Sequence, residues 1–425
     1  MRFGRPTRRQ EAGACQRFRL ANVRGAMRRI LPLLILGSCA ALAACGGSTT
    51  KLVREPASSI QSGTPQAAQK LGFPDFATKN TTRVAGGDPI ADAAGVARAV
   101  YPSAAAGSHP AAVTLAPTDD WQAAIASSVL MAPPIGAPIL LSGGASLPSA
   151  TASTLAALAP TGSSAIGGNE LIRVGDVPRV SGMRASSISA SGPFALAAAI
   201  DQYVTAATGK PTSEVVVASA DNPAYAMPAA GWAAESGDPV LFVTASGIPA
   251  ATKQALLSHQ HPHIYVLGPP RVIPDKVLTA LGKYGPVKRV GASDPASNSV
   301  AFAIYRDPPC AFKQPCAHVP GSFGWALRSP GHGYTLINAN RPLDAAASAA
   351  LSGAGDFGPQ LLIDKPATLP QPVLNFFLDY ATPGYTQEGP TAAVYNHGWV
   401  IGDSSAISVG VQAEMDTLLQ AIPQK

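Results

Sequence analysis

Short apolar runs alternate with Ala-rich amphipathic stretches along most of the chain, from residue 81 to its last residues. Each apolar run is about four to six residues long, the length of a buried strand, and small or polar residues separate it from the next amphipathic stretch. Strands that alternate with helices in this way predict βα units around a mainly parallel sheet. The pattern therefore predicts the α/β fold class.

One thirteen-residue frame occurs three times. It is GAPILLSGGASLP at 136–148, GDPVLFVTASGIP at 237–249 and GPQLLIDKPATLP at 358–370. Each copy begins with Gly, continues with three consecutive apolar residues and a short loop, and ends with Leu or Ile before a Pro that suits the first turn of a helix. The copies begin 101 and 121 residues apart. This spacing is too long for a solenoid repeat and suits three small domains, in each of which we expect the frame to supply the central strand and the start of a helix.

The repeat extends well beyond the frame. An Arg-Val strand start recurs at Arg83, Arg179 and Arg289, and an Ala-rich helix follows each one. A short strand then ends in a polar corner, which is Asp119-Asp120-Trp121, Asp221-Asn222-Pro223 or Asn340-Arg341-Pro342. A last strand and helix complete the second and third copies, whereas the first copy has no room for a full final helix after Gly167-Gly168.

These repeats predict three tandem three-layer βα modules with mainly parallel sheets. The modules cover residues 81–178, 179–288 and 289–425, and the third carries an insertion that contains CAFKQPC and GSFGWALRSPGHG. Residues 45–80 are polar and lack a sustained hydrophobic period, so we expect a flexible linker there.

The N-terminal segment has the features of an export signal. Arg28 and Arg29 precede an apolar run from residue 30 to residue 44 that is too short to span a bilayer comfortably. The run ends in Leu42-Ala43-Ala44-Cys45, which resembles the lipobox of bacterial lipoproteins, where cleavage precedes the Cys and acyl chains are attached to it. We expect residues 1–44 to be a signal peptide with an N-terminal extension before Met27, and Cys45 to carry palmitate. The alternative is an ordinary signal peptide with a chance Cys.

The formal net charge of +6 arises in this N-terminal segment. Residues 1–45 hold nine Arg and one Glu, which leaves 22 basic and 24 acidic residues in the rest of the chain. The larger part is therefore slightly acidic, which argues against a nucleic-acid-binding protein.

Two Cys residues remain after the N-terminal segment, Cys310 and Cys316. In an exported protein this pair is most simply a disulfide. A metal site is the alternative, with His318 as the only further ligand close by.

The order of the segments resembles the type 2 cell-wall-binding repeat of exported proteins of Gram-positive bacteria. The resemblance rests on Arg179-Val180-Ser181-Gly182, on the strands at 137–141 and 264–268, and on the run from Val400 to Ser408. It covers residues 81–425. It implies modules arranged around a pseudo-threefold axis, non-covalent attachment to an anionic wall polymer, and no catalysis.

The chain departs from the family pattern at the polar corners. The second acidic residue of the family's corner is replaced by Ala123 and Tyr225 in the first two copies, and Asp344 occupies its place in the third. Corners at the carboxyl ends of parallel strands are the usual location of ligand groups, although Asp and Asn can equally cap the next helix. The binding candidates from the corners are Asp119, Asp120, Asp221, Asn222, Asn340 and Arg341.

Basic side chains are the second group of candidates, because Arg can bind phosphate or carboxylate groups with two hydrogen bonds. The repeated Arg residues can equally pair with carboxylates of a neighbouring module. The residues concerned are Arg83, Arg179, Arg184, Arg271, Lys288, Arg289 and Arg341.

Catalytic motifs are absent from the sequence. It contains no G-x-S-x-G, H-E-x-x-H or phosphate-binding loop, and His259-Gln260-His261-Pro262-His263 is the one dense group of metal-ligating side chains. We interpret this group as a solvated turn, with a metal site as the alternative. We therefore predict a chain that is not an enzyme and has neither a cofactor nor a metal.

The sequence thus predicts an extracytoplasmic lipoprotein that is anchored to the membrane by lipid, faces the cell wall and binds an anionic wall polymer through three repeats. The second hypothesis is a solute-binding lipoprotein of a transporter, a class that uses two lobes around a cleft. A hydrolase of wall fragments is the third.

Overall fold

The computed structural model describes residues 75–105, 107–308, 322–327, 331–355, 358–380, 384–385, 395–420 and 422–423. The predicted signal peptide, Cys45, most of the linker, Cys310 and Cys316 lie outside the described residues. None of the described helices is both long enough and apolar enough to cross a membrane.

The strands and helices alternate along the chain as the hydrophobic pattern predicts. The strands are Asp75–Ala77 (β1), Thr81–Val84 (β2), Val113–Pro117 (β3), Ile139–Ser142 (β4), Leu171–Val174 (β5), Ala185–Ile188 (β6), Glu214–Ser219 (β7), Val240–Val243 (β8), His263–Leu267 (β9), Val287–Val290 (β10), Gly333–Asn338 (β11), Gln360–Ile363 (β12), Gly384–Tyr385 (β13), His397–Ile401 (β14) and Ile422–Pro423 (β15). The helices are Pro89–Val100 (α1), Trp121–Ala126 (α2), Ser149–Leu158 (α3), Pro193–Thr208 (α4), Pro223–Ala226 (α5), Pro228–Ser236 (α6), Ala250–Ser258 (α7), Asp275–Leu281 (α8), Pro295–Ile304 (α9), Pro342–Ala354 (α10), Gln371–Asp379 (α11) and Val409–Leu418 (α12).

Three sheets share one strand order. The first sheet is β4-β3-β5-β6, the second is β8-β7-β9-β10, and the third is β12-β11-β14-β2 with β1 added at its edge. All neighbours in these sheets are parallel except β1 and β2. The prediction of an α/β protein with three mainly parallel sheets is confirmed.

The fourth strand of every sheet comes from the start of the next repeat. Strand β6 completes the first sheet and β10 completes the second. The third sheet is completed by β2, which is the start of the first repeat, so that Arg83 pairs in register with Val400. The three copies therefore exchange strands in a cyclic order that the sequence boundaries did not indicate.

The helix after each fourth strand covers the edge of the following sheet. Helix α1 packs on β4, α4 packs on β8 and α9 packs on β12. At β12 the hydroxyl of Ser299 accepts a hydrogen bond from the N–H of Leu362 at 3.1 Å, which satisfies a donor on this outer strand. The prediction that the thirteen-residue frame is the central strand is wrong, because β4, β8 and β12 lie at the edges of their sheets. Their sequences are apolar like those of central strands, because neighbouring repeats bury them completely.

Alanine and glycine fill the region where the three copies meet. Helices α2, α6 and α10 follow equivalent strands and pack against one another. A Cβ atom on Gly353 of α10 would lie 2.5 Å from the carbonyl oxygen of Ala234 in α6. The Ala-rich helices of the sequence are therefore explained by close packing between copies.

The Arg-Val start of the second repeat is not a strand. Residues 179 and 180 have no regular secondary structure, residues 181 and 182 form a turn, and the strand begins at Ala185. The expected shortening of the final helix in the first copy is confirmed, since the described residues between β5 and β6 contain no helix. Without that helix, the segment that includes Arg179 makes the connection to β6.

Candidate functional site

Polar corners from the first and third repeats meet beside the start of α1. Together they line a cavity of about 520 Å³. The cavity is formed by residues 87–89, by Thr118, Asp119 and Trp121, and by residues 340–343, and we call it the corner pocket. Because these loops follow the carboxyl ends of β2, β3 and β11, the pocket lies where parallel sheets usually bind ligands.

The two carboxylates of the first corner have different surroundings. Asp120 caps α2 by accepting a hydrogen bond from the N–H of Ala123 at 2.8 Å, and burial raises the pKa of its carboxyl. Asp119 is exposed and lines the corner pocket. The capping interpretation is therefore correct for Asp120, while Asp119 is accessible to a ligand.

The second corner lies apart from the corner-pocket lining. The carboxylate of Asp221 accepts a hydrogen bond from the N–H of Ala245 at 3.0 Å, and the amide of Asn222 lies 3.5 Å from the hydroxyl of Ser219. A link to the first corner runs through Gln122, whose amide donates to the carbonyl of Ala220 at 3.3 Å. The structure thus brings the first and third corners into one cavity and leaves the second beside them.

Arg341 of the third corner is shared by two buried carboxylates. Its Nη2 donates to Oδ2 of Asp92 at 2.9 Å, and its Nε lies 2.8 Å from Oδ2 of Asp344. Both carboxyl side chains are fully buried, whereas the Arg341 side chain is 18% exposed. Arg341 therefore links α1 to α10 and presents only part of its guanidinium to the corner pocket.

The two carboxyl groups under the corner pocket are strongly perturbed by burial. Burial raises the pKa of Asp92 to about 7 against the opposing effects of the Gly86 N–H and Arg341, and it raises the pKa of Asp344 well above its usual range. The Oδ1 atom of Asp344 has no hydrogen-bond partner in the described part of the chain. One guanidinium thus serves two carboxyl groups whose pKa values are raised by burial.

Asn340, the other candidate in the third corner, is exposed at the pocket. Its backbone N–H donates to Oδ1 of Asn338 at 2.9 Å, and its side-chain amide donates to the carbonyl of Asp364 at 3.1 Å. The side chain is therefore held at the mouth of the corner pocket.

The repeated arginines hold loops of the protein itself. The guanidinium of Arg83 is completely buried, donates to the carbonyls of Gly402 and Ser408 and to Gln412, and has a pKa that burial lowers to about 10. Arg289 donates to the carbonyls of Gly268 and Ile273 at 2.7 and 2.8 Å. Arg289 also forms an ion pair with Asp275. Arg179, in contrast, is exposed and makes no hydrogen bond or ion pair with described residues.

The first sheet contains an equivalent arginine that the sequence pattern did not reveal. Ser187 of β6 occupies the register position of Arg83 and Arg289, and its partner in β5 is Arg173. The guanidinium of Arg173 donates to the carbonyls of Val177 and Pro178 at 2.6 and 3.0 Å. The loop contact is retained, but the arginine comes from the neighbouring strand, which no linear Arg-Val motif can indicate.

Other basic candidates are distributed over the surface. Arg184 is 64% exposed beside Glu170, Arg271 contacts Tyr225 and the carbonyl of Ser293, and Lys288 pairs with Asp307. None of these residues lines the corner pocket. Among the described residues, no group of three or more His, Cys, Asp or Glu side chains has a geometry suited to a metal ion.

Comparisons with known proteins agree with the triplicated α/β fold. Residues 188–278 match the family model described as Cell wall binding domain 2 (CWB2), which supports a cell-wall-binding role for this part of the chain. Solved structures with a similar fold include Cwp6 and Cwp8, both from Clostridium difficile, with TM-scores of 0.61 and 0.57 and sequence identities of 13% and 14%.

These similarities cover 81% and 80% of this chain, and 49% and 52% of Cwp6 and Cwp8. The chain therefore spans about half the length of each solved structure, and at this identity the likeness concerns the fold alone. No curated protein sequence matches the chain.

Proposed function

We propose that the protein is an extracytoplasmic cell-wall-binding protein that holds a wall polysaccharide at the corner pocket without breaking its bonds. The observation that carries the proposal is the joining of polar corners from two repeats in one cavity, within a chain that matches a cell wall binding domain over residues 188–278. The sheets exchange strands within one compact unit, and a binding site needs such support from regular elements.

The lining of the pocket favours a hydroxyl-rich segment of polymer. Trp121 offers an aromatic surface to a sugar ring, the carboxylate of Asp119 can accept hydrogen bonds from hydroxyl groups, and Asn340 lies at the mouth. Arg341 is the one basic residue in the described lining, and it already pairs with Asp92 and Asp344. We therefore assign the pocket to neutral sugar contacts, with Arg341 as its single contact for an acidic group.

Retention on isolated cell-wall sacculi tests the pocket. Asp119→Ala and Trp121→Ala should each lower retention of the full chain about tenfold, because each removes a contact with the sugar. Asp221→Ala is the matched control, since this exposed corner residue lies outside the pocket. Equal retention of all three variants and the parent chain would show that the polymer binds elsewhere.

Salt dependence tests the anionic character of the polymer, which stays a prediction. An electrostatic contact should weaken strongly between about 50 and 500 mM salt, because surface charges are screened over a few ångströms at the higher concentration. Retention that does not change with salt would assign binding to neutral sugar contacts and would remove the anionic polymer from the proposal.

Lipid anchoring through Cys45 belongs to the same proposal and rests on the lipobox-like Leu42-Ala43-Ala44-Cys45. Cells that express the full chain should incorporate labelled palmitate into it, and Cys45→Ser should abolish the label and release the protein from membranes. Palmitate incorporation by the Cys45→Ser variant would contradict the assignment.

The solute-binding alternative requires a ligand cleft between two unlike lobes. The three main sheets of the described residues instead share one strand order. A thermal shift of several degrees with a small sugar, amino acid or peptide would favour the alternative, and release of soluble fragments from sacculi would favour a hydrolase.

A further inference from the structure

A second cavity lies at the opposite ends of the strands of the second sheet. It measures about 410 Å³ and is lined by Glu214 at the start of β7, by residues of α6 and the turn before β8, and by described residues of the insertion in the third repeat. Its volume falls in the range of small-molecule sites, about 300–1,000 Å³. We call it the indole pocket, because Trp232 and Trp325 both line it.

The two tryptophans pack edge to face against each other. Their ring centroids are 5.3 Å apart and the rings are nearly perpendicular, at 76°. The Nε1–H of Trp232 donates to Oδ2 of the buried Asp238 at 2.8 Å. The Nε1–H of Trp325 is shielded from solvent and has no hydrogen-bond partner in the described part of the chain. The pocket is thus lined by two indole rings that pack edge to face.

The charged groups around the indole pocket are acidic. Glu214, Glu235 and Asp238 line it, and the described lining includes neither Lys nor Arg. Burial raises the pKa of Asp238 to about 7 and raises the pKa of Glu235, whose carboxylate makes no hydrogen bond or ion pair with described residues. Burial also lowers the pKa of His332, the remaining titratable group of the lining, so its ring favours the neutral form.

We infer that the indole pocket binds a sugar that carries a free, protonated amino group, with Glu235 pairing with the ammonium and the two indoles contacting the sugar ring. An ammonium group is attracted both by carboxylates and by aromatic faces. An N-acetylated sugar is neutral at this position and lacks both attractions. The site is separate from the corner pocket, so it does not depend on the function proposed for that pocket.

Binding of two matched disaccharides tests the inference. One is the glucosamine disaccharide with free amino groups, and the other is its doubly N-acetylated form. Calorimetry with the full chain at about pH 6.5 should detect the free amine, with binding to the acetylated form at least tenfold weaker because its ion pair is lost. Equal affinity for the two sugars, or no binding of either in the millimolar range, would overturn the inference.

Two substitutions locate the binding. Glu235→Gln should weaken the free amine about tenfold and leave the acetylated form unaffected, whereas Trp325→Ala should weaken any binding of both. Asp379→Asn, which neutralises an exposed carboxylate at the end of α11, is the matched control and should bind like the parent chain. An unchanged affinity of Glu235→Gln, in a variant with an unchanged melting temperature, would refute the assignment.

The two proposals fail independently. Glu235 lies outside the corner pocket. The Glu235→Gln variant should therefore be retained like the parent chain on sacculi whose free amino groups have been acetylated. Loss of amine binding by the Asp119→Ala variant would mean that the corner pocket, and not the indole pocket, is the amine site.

Discussion

Several of the charged side chains proposed as ligand contacts bind groups within the protein instead. Arg83 and Arg289 bind loop carbonyls, and Arg341 is held between two buried carboxylates. The sequence indicates Arg83 and Arg289 because Arg recurs there, and Arg341 because it lies in a polar corner, but it cannot separate a ligand contact from an internal one. The difference depends on burial and on loop carbonyls that come from elsewhere in the chain.

His259 shows the same limitation in the cluster that we interpreted as a solvated turn. His261 and His263 are exposed, but His259 is buried, with its Nε2 at 2.9 Å from Oδ2 of Asp201 and its Nδ1 at 2.8 Å from the carbonyl of Thr212. Burial alone would lower the pKa of His259, but the hydrogen bond and charge of Asp201, together with Thr212, outweigh it and raise that pKa. His259 therefore joins the end of α7 to α4.

Stability should depend on pH through this pair. Because the folded state holds the proton more tightly, the contribution of the pair is complete below about pH 6.5 and is lost as the pH rises through the higher pKa of the folded state. His259→Gln, which leaves Asp201 buried and unpaired, should lower the free energy of unfolding by about 3–5 kcal/mol at pH 6 and by less at pH 9. Urea denaturation at both pH values measures the difference, and an equal loss at both would contradict it.

The displaced arginine of the first sheet allows a residue exchange. Arg173→Val should lower the free energy of unfolding by about 2 kcal/mol, because bonds from a charged donor to the carbonyls of Val177 and Pro178 are lost. The double variant Arg173→Val/Ser187→Arg places the guanidinium where the other two sheets have it and should recover part of the loss. A double variant no more stable than Arg173→Val would show that the two positions are not interchangeable.

At the scale of elements, the contacts between α2, α6 and α10 depend on the absence of side-chain atoms. The hydrophobic pattern predicted these helices, and their Ala content was visible in the sequence. The sequence could not show that these Ala and Gly residues face other copies, because small residues occur both on helices that pack against each other and on helices exposed to solvent.

Gly353 provides the test of that close packing. Gly353→Ala should destabilise the protein by about 1–3 kcal/mol, since its new Cβ would lie 2.5 Å from the carbonyl oxygen of Ala234. Gly410→Ala in α12 is the matched control, because the nearest atom lies 3.7 Å away and alanine has a higher helix propensity than glycine. Thermal melts of the two variants should shift in opposite directions, and parallel shifts would contradict the explanation.

At the scale of the whole molecule, the number of copies was predictable and their connection was not. The threefold frame was sufficient to predict three sheets. A repeated Arg-Val start predicts the first strand of its own module. The hydrophobic pattern does not show that β6, β10 and β2 each pair with strands of another repeat. These pairings join residues far apart in the chain, such as Arg83 and Val400, and a local sequence pattern cannot show them.

Removal of the first strands should therefore affect the far end of the chain. A chain that begins at residue 75 should keep the third sheet, whereas one that begins at residue 86 lacks β1 and β2 and loses the buried contacts of Arg83 with Gly402 and Ser408. Hydrogen exchange should then be faster in β14 and α12, with β7 and β9 unchanged. Equal protection of β14 in both chains would mean that β2 is dispensable.

The cyclic exchange of strands also limits how this architecture can evolve. An open array gains or loses a unit at either end without disturbing the remaining units, because only one interface is involved. Here β2, the opening strand of the first unit, completes the sheet of the last unit. In a chain of two or four units, the units would have to pack at a different angle for the first and last units to meet. The number of copies is thus tied to the geometry that lets the first and last units meet.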